Sequence, residues 1–206
     1  MVFPTRLFLL RHGEVEERYH RVFGGRIDMD LSPRGHEQAR ALAGFLRRRP
    51  IDAIYTSPMR RAQQTLAPLA SHCPRAAITH PEFREVDFGD WTGLTWEQVH
   101  SRYQISAMDW LEQIERGAIA NAETGAAFRS RVEPPLRQIV QEHGGQSVAI
   151  VCHGGVIRMM LSILLDLALP KMAAFEIDYA SVSQVEHHER KTEANLINFA
   201  PWRDLP

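Results

Sequence analysis

Leu7-Phe8-Leu9-Leu10-Arg11-His12-Gly13 is a run of four apolar residues closed by a cation, an imidazole and a glycine. A short apolar run bounded in this way reads as a buried parallel strand, and α/β folds place their chemistry at the carboxyl ends of such strands. His12 then sits at the rim of a sheet with Arg11 beside it, in the position of a nucleophile. The pattern recurs downstream. Ser147-Val148-Ala149-Ile150-Val151 is a second buried-strand run, followed by Cys152-His153-Gly154-Gly155. Between the two, Ala53-Ile54-Tyr55-Thr56 leads into Ser57-Pro58-Met59-Arg60-Arg61-Ala62, which brings an arginine to a third strand end.

Helix starts punctuate these strands. Ser32-Pro33 and Ser57-Pro58 each set a capping hydroxyl before a proline at the first helical position. After Ser32, Ala39, Leu42, Ala43 and Leu46 recur at helical spacing and leave Arg40, Arg47 and Arg48 outward. Val156 to Leu165 is apolar on nearly every face, as a helix pressed against a sheet would be. Further strands are expected at Ala76–Thr79, Phe175–Tyr179, Ser181–Glu186 and Ala194–Phe199. The alternation predicts an α/β three-layer sandwich, a doubly wound, mostly parallel sheet flanked by helices. The stretch from about Thr92 to Arg131, with Trp96, Trp110 and no clear strand, reads as a helical excursion over the rim of the site.

The 206 residues fit a single domain, 1–206, with a substantial core. Charged residues make up 24% of the chain and nearly cancel to a net −1, so the totals point to neither a nucleic-acid nor a membrane partner. Arg47-Arg48-Arg49, the one basic cluster, suits a solvated helix end facing the negative pole of the helix dipole. No apolar stretch approaches the roughly 18 residues of a membrane span, and Met1–Arg6 lacks a basic leader with an apolar core, so a cytoplasmic location is expected. Cys73 and Cys152 are too few for a disulfide framework.

The motifs together resemble the histidine phosphatase superfamily, the phosphoglycerate mutase-like proteins. They are Leu10-Arg11-His12-Gly13-Glu14; Gly25, Asp28, Leu31-Ser32 and Gly35; Ser57 through Thr65; Glu85-Val86-Asp87-Phe88-Gly89-Asp90-Trp91-Thr92-Gly93; and His153-Gly154-Gly155. The chemistry of phosphoryl transfer agrees with this set: negative charge spreads over three equatorial oxygens and calls for fixed cations, N–H donors and an in-line nucleophile. Arg11, Arg61 and His153 can supply the cations, and the N–H groups of Gly154 and Gly155 open a helix. The resemblance implies that His12 is phosphorylated on a ring nitrogen, with nearby arginines keeping it neutral for attack. It also implies that Glu85, its pKa raised by burial against Phe88 or Trp91, protonates the leaving alcohol. Substrate contacts are expected at Gly13, Arg18, Gly24, Gly25 and Gly154. No cofactor and no metal ligand is called for, and a homodimer is left open.

Two departures from the family pattern bear on specificity. Val15 and Arg18 stand where relatives carry a hydroxyl residue and an asparagine, and Asn121–Ala127 replaces a Gly-Glu-Ser run. Arg18 has two readings, a solvated residue paired with Glu14 or Glu17, or a cation over the pocket holding a second anionic group. The expected activity is hydrolysis of a small phosphate ester, such as a ribazole or sugar phosphate. The alternatives are a mutase-type phosphotransferase and an idle phospho-ligand or partner-binding protein. Cys152 is followed by glycines, unlike the phosphate loop of a thiol phosphatase, and reads as a small buried residue. His187-His188 has no spaced ligand partners, and His20, His36, His72, His80, His100 and His143 read as surface residues.

Overall fold

The computed structural model describes residues 3–70 and 76–205, so His72 and Cys73 lie outside the described residues. Six strands form one sheet: β1 (Thr5–Arg11), β2 (Ala53–Thr56), β3 (Ile78–Thr79), β4 (Ser147–Cys152), β5 (Val182–His187) and β6 (Thr192–Phe199). Their order is β3-β2-β4-β1-β5-β6. The β1–β4, β2–β4 and β2–β3 pairs are parallel, and β5 and β6 add an antiparallel edge.

Alternation along the central strands explains the three layers. Leu7, Leu9, Val148 and Ile150 face one way and pack with Phe128, Val132 and Leu136 of α5 (Gly125–Glu142) and with Val156, Ile157 and Met160 of α6 (Gly154–Leu164). Phe8, Leu10, Ala149 and Val151 face the other way onto Leu42 and Leu46 of α1 (Pro33–Leu46) and Leu66 of α2 (Arg60–Ala70). Both faces of the strands are therefore dry, which is why they read as continuous apolar runs rather than as alternating ones. Two further helices, α3 (Trp96–Tyr103) and α4 (Trp110–Arg116), form the excursion, which ends earlier than the expected Arg131 because residues 125–131 are the start of α5 on the sheet.

Helix starts follow local chemistry, with one shift. Ser32 Oγ accepts from Gly35 N at 3.0 Å, with Pro33 at the first position of α1. The second start falls at Arg60, two residues beyond Pro58, because Ser57 Oγ serves Met59 N and His153 instead. Phe175–Tyr179 is not a strand, contrary to its alternating pattern. The β1 edge it would need is taken by β5, and its carbonyls accept from guanidinium groups: Ile177 O from Arg11, Phe175 O from Arg158. Arg47 and Arg48 lie exposed at the end of α1 as expected, whereas Arg49 is half-buried over the Phe45 ring and donates to Phe45 O at 2.7 Å.

Candidate active site

Parallel register brings the carboxyl ends of β1, β2 and β4 side by side, with Arg11 opposite Cys152 and Thr56 opposite Val151. The residues just beyond therefore converge. His12 N donates to Cys152 O at 3.0 Å and Ser57 N to Val151 O at 2.9 Å. Gly13 is packed backbone to backbone under α1, where a Cβ would lie 2.6 Å from Gly35 O, and its N–H donates to Thr65 Oγ1. This anchors the turn that aims the His12 ring.

His12 is buried, with Nδ1 2.8 Å from Gly13 O. A carbonyl can only accept, so Nδ1 carries the proton and Nε2 keeps its lone pair. Arg61 Nε lies 3.1 Å from that Nε2 and 3.2 Å from His153 Nδ1, one N–H shared between two imidazoles. His153 in turn donates Nε2–H to Ser57 Oγ at 2.7 Å. Burial first, then Arg61, holds both rings well below the ordinary imidazole pKa. The assignment of His153 as a cation is corrected accordingly: it is neutral and fully buried here, and acts as an acceptor toward Arg61. Arg61 is pulled down to about 10, chiefly by its own burial, and its Nη atoms donate to Ile27 O at 2.7 Å and Gly25 O at 3.0 Å.

Glu85 reaches the same place from a loop. Its Oε2 accepts from Gly155 N at 3.1 Å and Oε1 from Val86 N at 3.0 Å. A Cβ on Gly155 would collide with Glu85 Oε1, so the glycine is what lets a carboxylate lie on the first turn of α6. The Gly155 N–H is thereby spent on Glu85 rather than left for phosphate. The loop itself is pinned from behind by Arg131 of α5, which donates to the carbonyls of Glu82, Arg84 (2.8 Å) and Glu85 (3.3 Å) and forms a forked pair with Glu123 at 2.6 and 2.9 Å.

A cleft of about 340 Å³ opens over these groups, bordered by Arg11, His12, Arg61, Glu85, Gly154 and Arg158 and walled by Phe23, Phe88, Trp96 and Trp110. Gly24 and Gly25 also line it. Gly13 and Arg18 do not border it. Arg18 is displaced outward because its 3₁₀ turn, Glu17–Tyr19, carries it into solvent, where it pairs with Glu16 at 2.9 Å and covers the Tyr19 ring. Arg11 lies over the Tyr179 ring, 4.1 Å from its centroid, and donates to Ile177 O. Sequence reading gives Ser57 only a helix-capping role and gives Arg158, Arg131 and Tyr179 no role at the site; a lone cation inside an otherwise apolar helix is the signal that marks Arg158.

Other residues depart from their sequence reading. His143 is buried, its Nε2 3.0 Å from the Tyr55 hydroxyl and its Nδ1 2.6 Å from Gln146 Oε1, because the β2 end of the sheet encloses it. His80 is half-buried against Tyr55 and Phe83. Cys152 is buried, which pushes its thiol far up and leaves it no thiolate. His188 does acquire spaced partners, since antiparallel pairing sets Glu186 and Glu193 beside it. Those carboxylates already hold Arg6 at 2.9 Å and Lys191 at 2.7 Å, at the end of β1 opposite His12.

A buried neutral imidazole with a directed lone pair, arginines around it and a carboxylate across a narrow cleft is the equipment of a phosphoryl-transfer enzyme that works through a histidine. Residues 7–200 match the histidine phosphatase superfamily (branch 1). Phosphoserine phosphatase 1 of Hydrogenobacter thermophilus is 33% identical over 94% of this chain and 92% of its own. The adenosylcobalamin/alpha-ribazole phosphatase of Escherichia coli is 25% identical over 94% and 95%. A mycobacterial glucosyl-3-phosphoglycerate phosphatase superposes with a TM-score of 0.86 at 26% identity, covering 95% of this chain and 99% of that one. The chain belongs to the histidine phosphatase superfamily, and it is a phosphatase of small phosphate esters. Among the described residues no helix is long and apolar enough to cross a membrane.

Proposed function

We propose that this phosphatase works in two displacements through a phosphohistidine on His12. The lone pair of His12 Nε2 attacks phosphorus, the bond to the alcohol oxygen breaks, and Glu85 gives that oxygen its proton. Water then attacks phosphorus, passing its proton to Glu85 as the N–P bond breaks and His12 returns neutral. The observation that carries this reading is the contact of Nδ1 with Gly13 O, which leaves Nε2 unprotonated beside Arg61.

Arg61 spends two Nη hydrogens on carbonyls and keeps two of its five N–H groups uncommitted, apart from the Nε–H it shares between the histidines. With Arg11 it supplies fixed charge for the equatorial oxygens, so no metal is invoked. Water as the final acceptor, rather than a second hydroxyl as in a mutase, accords with the relatives being phosphatases.

The test is rapid alkaline quenching of turnover with a phosphorus-labelled ester in excess chelator. An acid-labile label should appear on His12 and vanish with turnover in His12→Ala. Label persisting in that variant, or activity restored only by metal, would remove this mechanism.

A further inference from the structure

Arg158 is the one ionisable residue of α6, a helix whose other side chains are nearly all buried and apolar. A methionine or leucine at that position would fill the space at far less desolvation cost, because a buried charge is stabilised only by close partners. Its partners are two carbonyls, Gly154 O at 3.3 Å and Phe175 O at 3.0 Å. No carboxylate among the described residues lies within ion-pair distance of it, and its buried Nε has no acceptor. Arg11 stands in the same state next to it, its Nε also buried without an acceptor. The two guanidiniums flank the first residue of α6: a Cβ on Gly154 would lie 3.3 Å from Arg158 Nη1 and 3.5 Å from Arg11 Nε. Both border the cleft over His12.

The phosphoryl group, with Arg11 and Arg61 beside it, leaves Arg158 as a third cation in the cleft without an anion. We propose that Arg158 is the specificity residue of this site and takes a carboxylate carried by the alcohol half of the substrate, which is then the phosphate ester of a hydroxy acid or an amino acid. The proposal rests on the hydrolytic reading given above. It gives the second anionic group a seat on α6, where Arg18 has none.

The opposite sign is present on the same wall. Asp178 is committed to Asn198, at 3.0 Å, and to Arg203. Glu176 is exposed at the cleft, has no ion-pair partner among the described residues, and is where an ammonium next to the carboxylate would come.

Two matched pairs of esters test this: O-phosphoserine against O-phosphoethanolamine, and 3-phosphoglycerate against glycerol 3-phosphate. Within each pair the carboxylate is removed and the phosphate kept. The parent enzyme should favour the carboxylate member in kcat/KM by on the order of tenfold or more, the range expected of a charge-assisted contact. In Arg158→Met that ratio should collapse towards one, and Arg158→Lys should restore part of it. An anchor for the Phe175 loop and nothing more would lower all four esters by the same factor, and that result, or a parent enzyme indifferent to the carboxylate, overturns the proposal. Which pair shows the larger ratio identifies the amino acid or the hydroxy acid as the source. Calorimetric titration of the same esters into His12→Ala reads the preference without turnover. Failure to hydrolyse any ester would therefore count against the mechanism alone.

Discussion

Arg61 Nε lies 3.1 Å from His12 Nε2, so the arginine donates to the very lone pair that attacks phosphorus in the proposed mechanism. Attack requires that hydrogen bond to yield, and the displaced N–H is then directed at a phosphoryl oxygen. One residue thus holds the nucleophile in place and then balances the charge its attack creates. Arg61→Lys keeps the charge but loses the planar fork that spans His12, His153 and two carbonyls. It should lower kcat/KM by on the order of 10²-fold or more. Steady-state kinetics on an aryl phosphate would measure this, and a loss below threefold would mean the fork is dispensable.

In the proposed mechanism Glu85 matters in proportion to how poor the leaving group is. Glu85→Gln keeps a side chain that can still lie on the first turn of α6 but cannot donate the proton of an acid. Alkyl phosphates should lose on the order of 10²-fold or more in kcat while aryl phosphates lose far less. Equal losses on both would point to displacement of the loop instead.

That loop is held by Arg131, which does not border the cleft and works through the carbonyls of Glu82, Arg84 and Glu85. Arg131→Met should lower kcat for alkyl esters more than for aryl esters, a weaker version of the Glu85 signature, with KM less affected. Removing one partner also leaves the largely enclosed Glu123 carboxylate without its cation and with only the Asp87 N–H, at 3.4 Å, which costs about 1–3 kcal/mol of stability. Glu123→Gln in the same chain should recover part of the melting temperature without recovering the leaving-group profile.

Stability should depend on pH through the two active-site histidines. Their folded pKa values lie well below 6.5, so the unfolded chain binds their protons first as pH falls. The stabilisation is complete above about pH 6.5 and declines below it, with a slope approaching about 1.4 kcal/mol per pH unit for each histidine until the folded values are reached. Urea unfolding between pH 8 and pH 5 would record the slope, and His153→Asn should reduce it. A flat profile in the parent would show that the rings are not held neutral.

The sequence alone determined the strands at Leu7, Ala53 and Ser147, the start of α1 and the placement of His12, His153 and Arg61 at neighbouring strand ends. Apolar runs, Ser-Pro caps and glycines act over a few residues, so their consequences can be read locally. Parallel pairing then follows from strands separated by helices. Which partner each side chain takes is another matter. Arg61 meets His12 from 49 positions away, Glu85 meets Gly155 from 70, and Arg131 holds Glu85 from 46. The seat of Glu85 on α6, the neutral state of His153, the exposure of Arg18 and the unpaired guanidinium of Arg158 depend on such pairings and on how much water the packed layers exclude. Burial and electrostatic state are properties of the assembled surroundings, and no short stretch of chain contains its own surroundings.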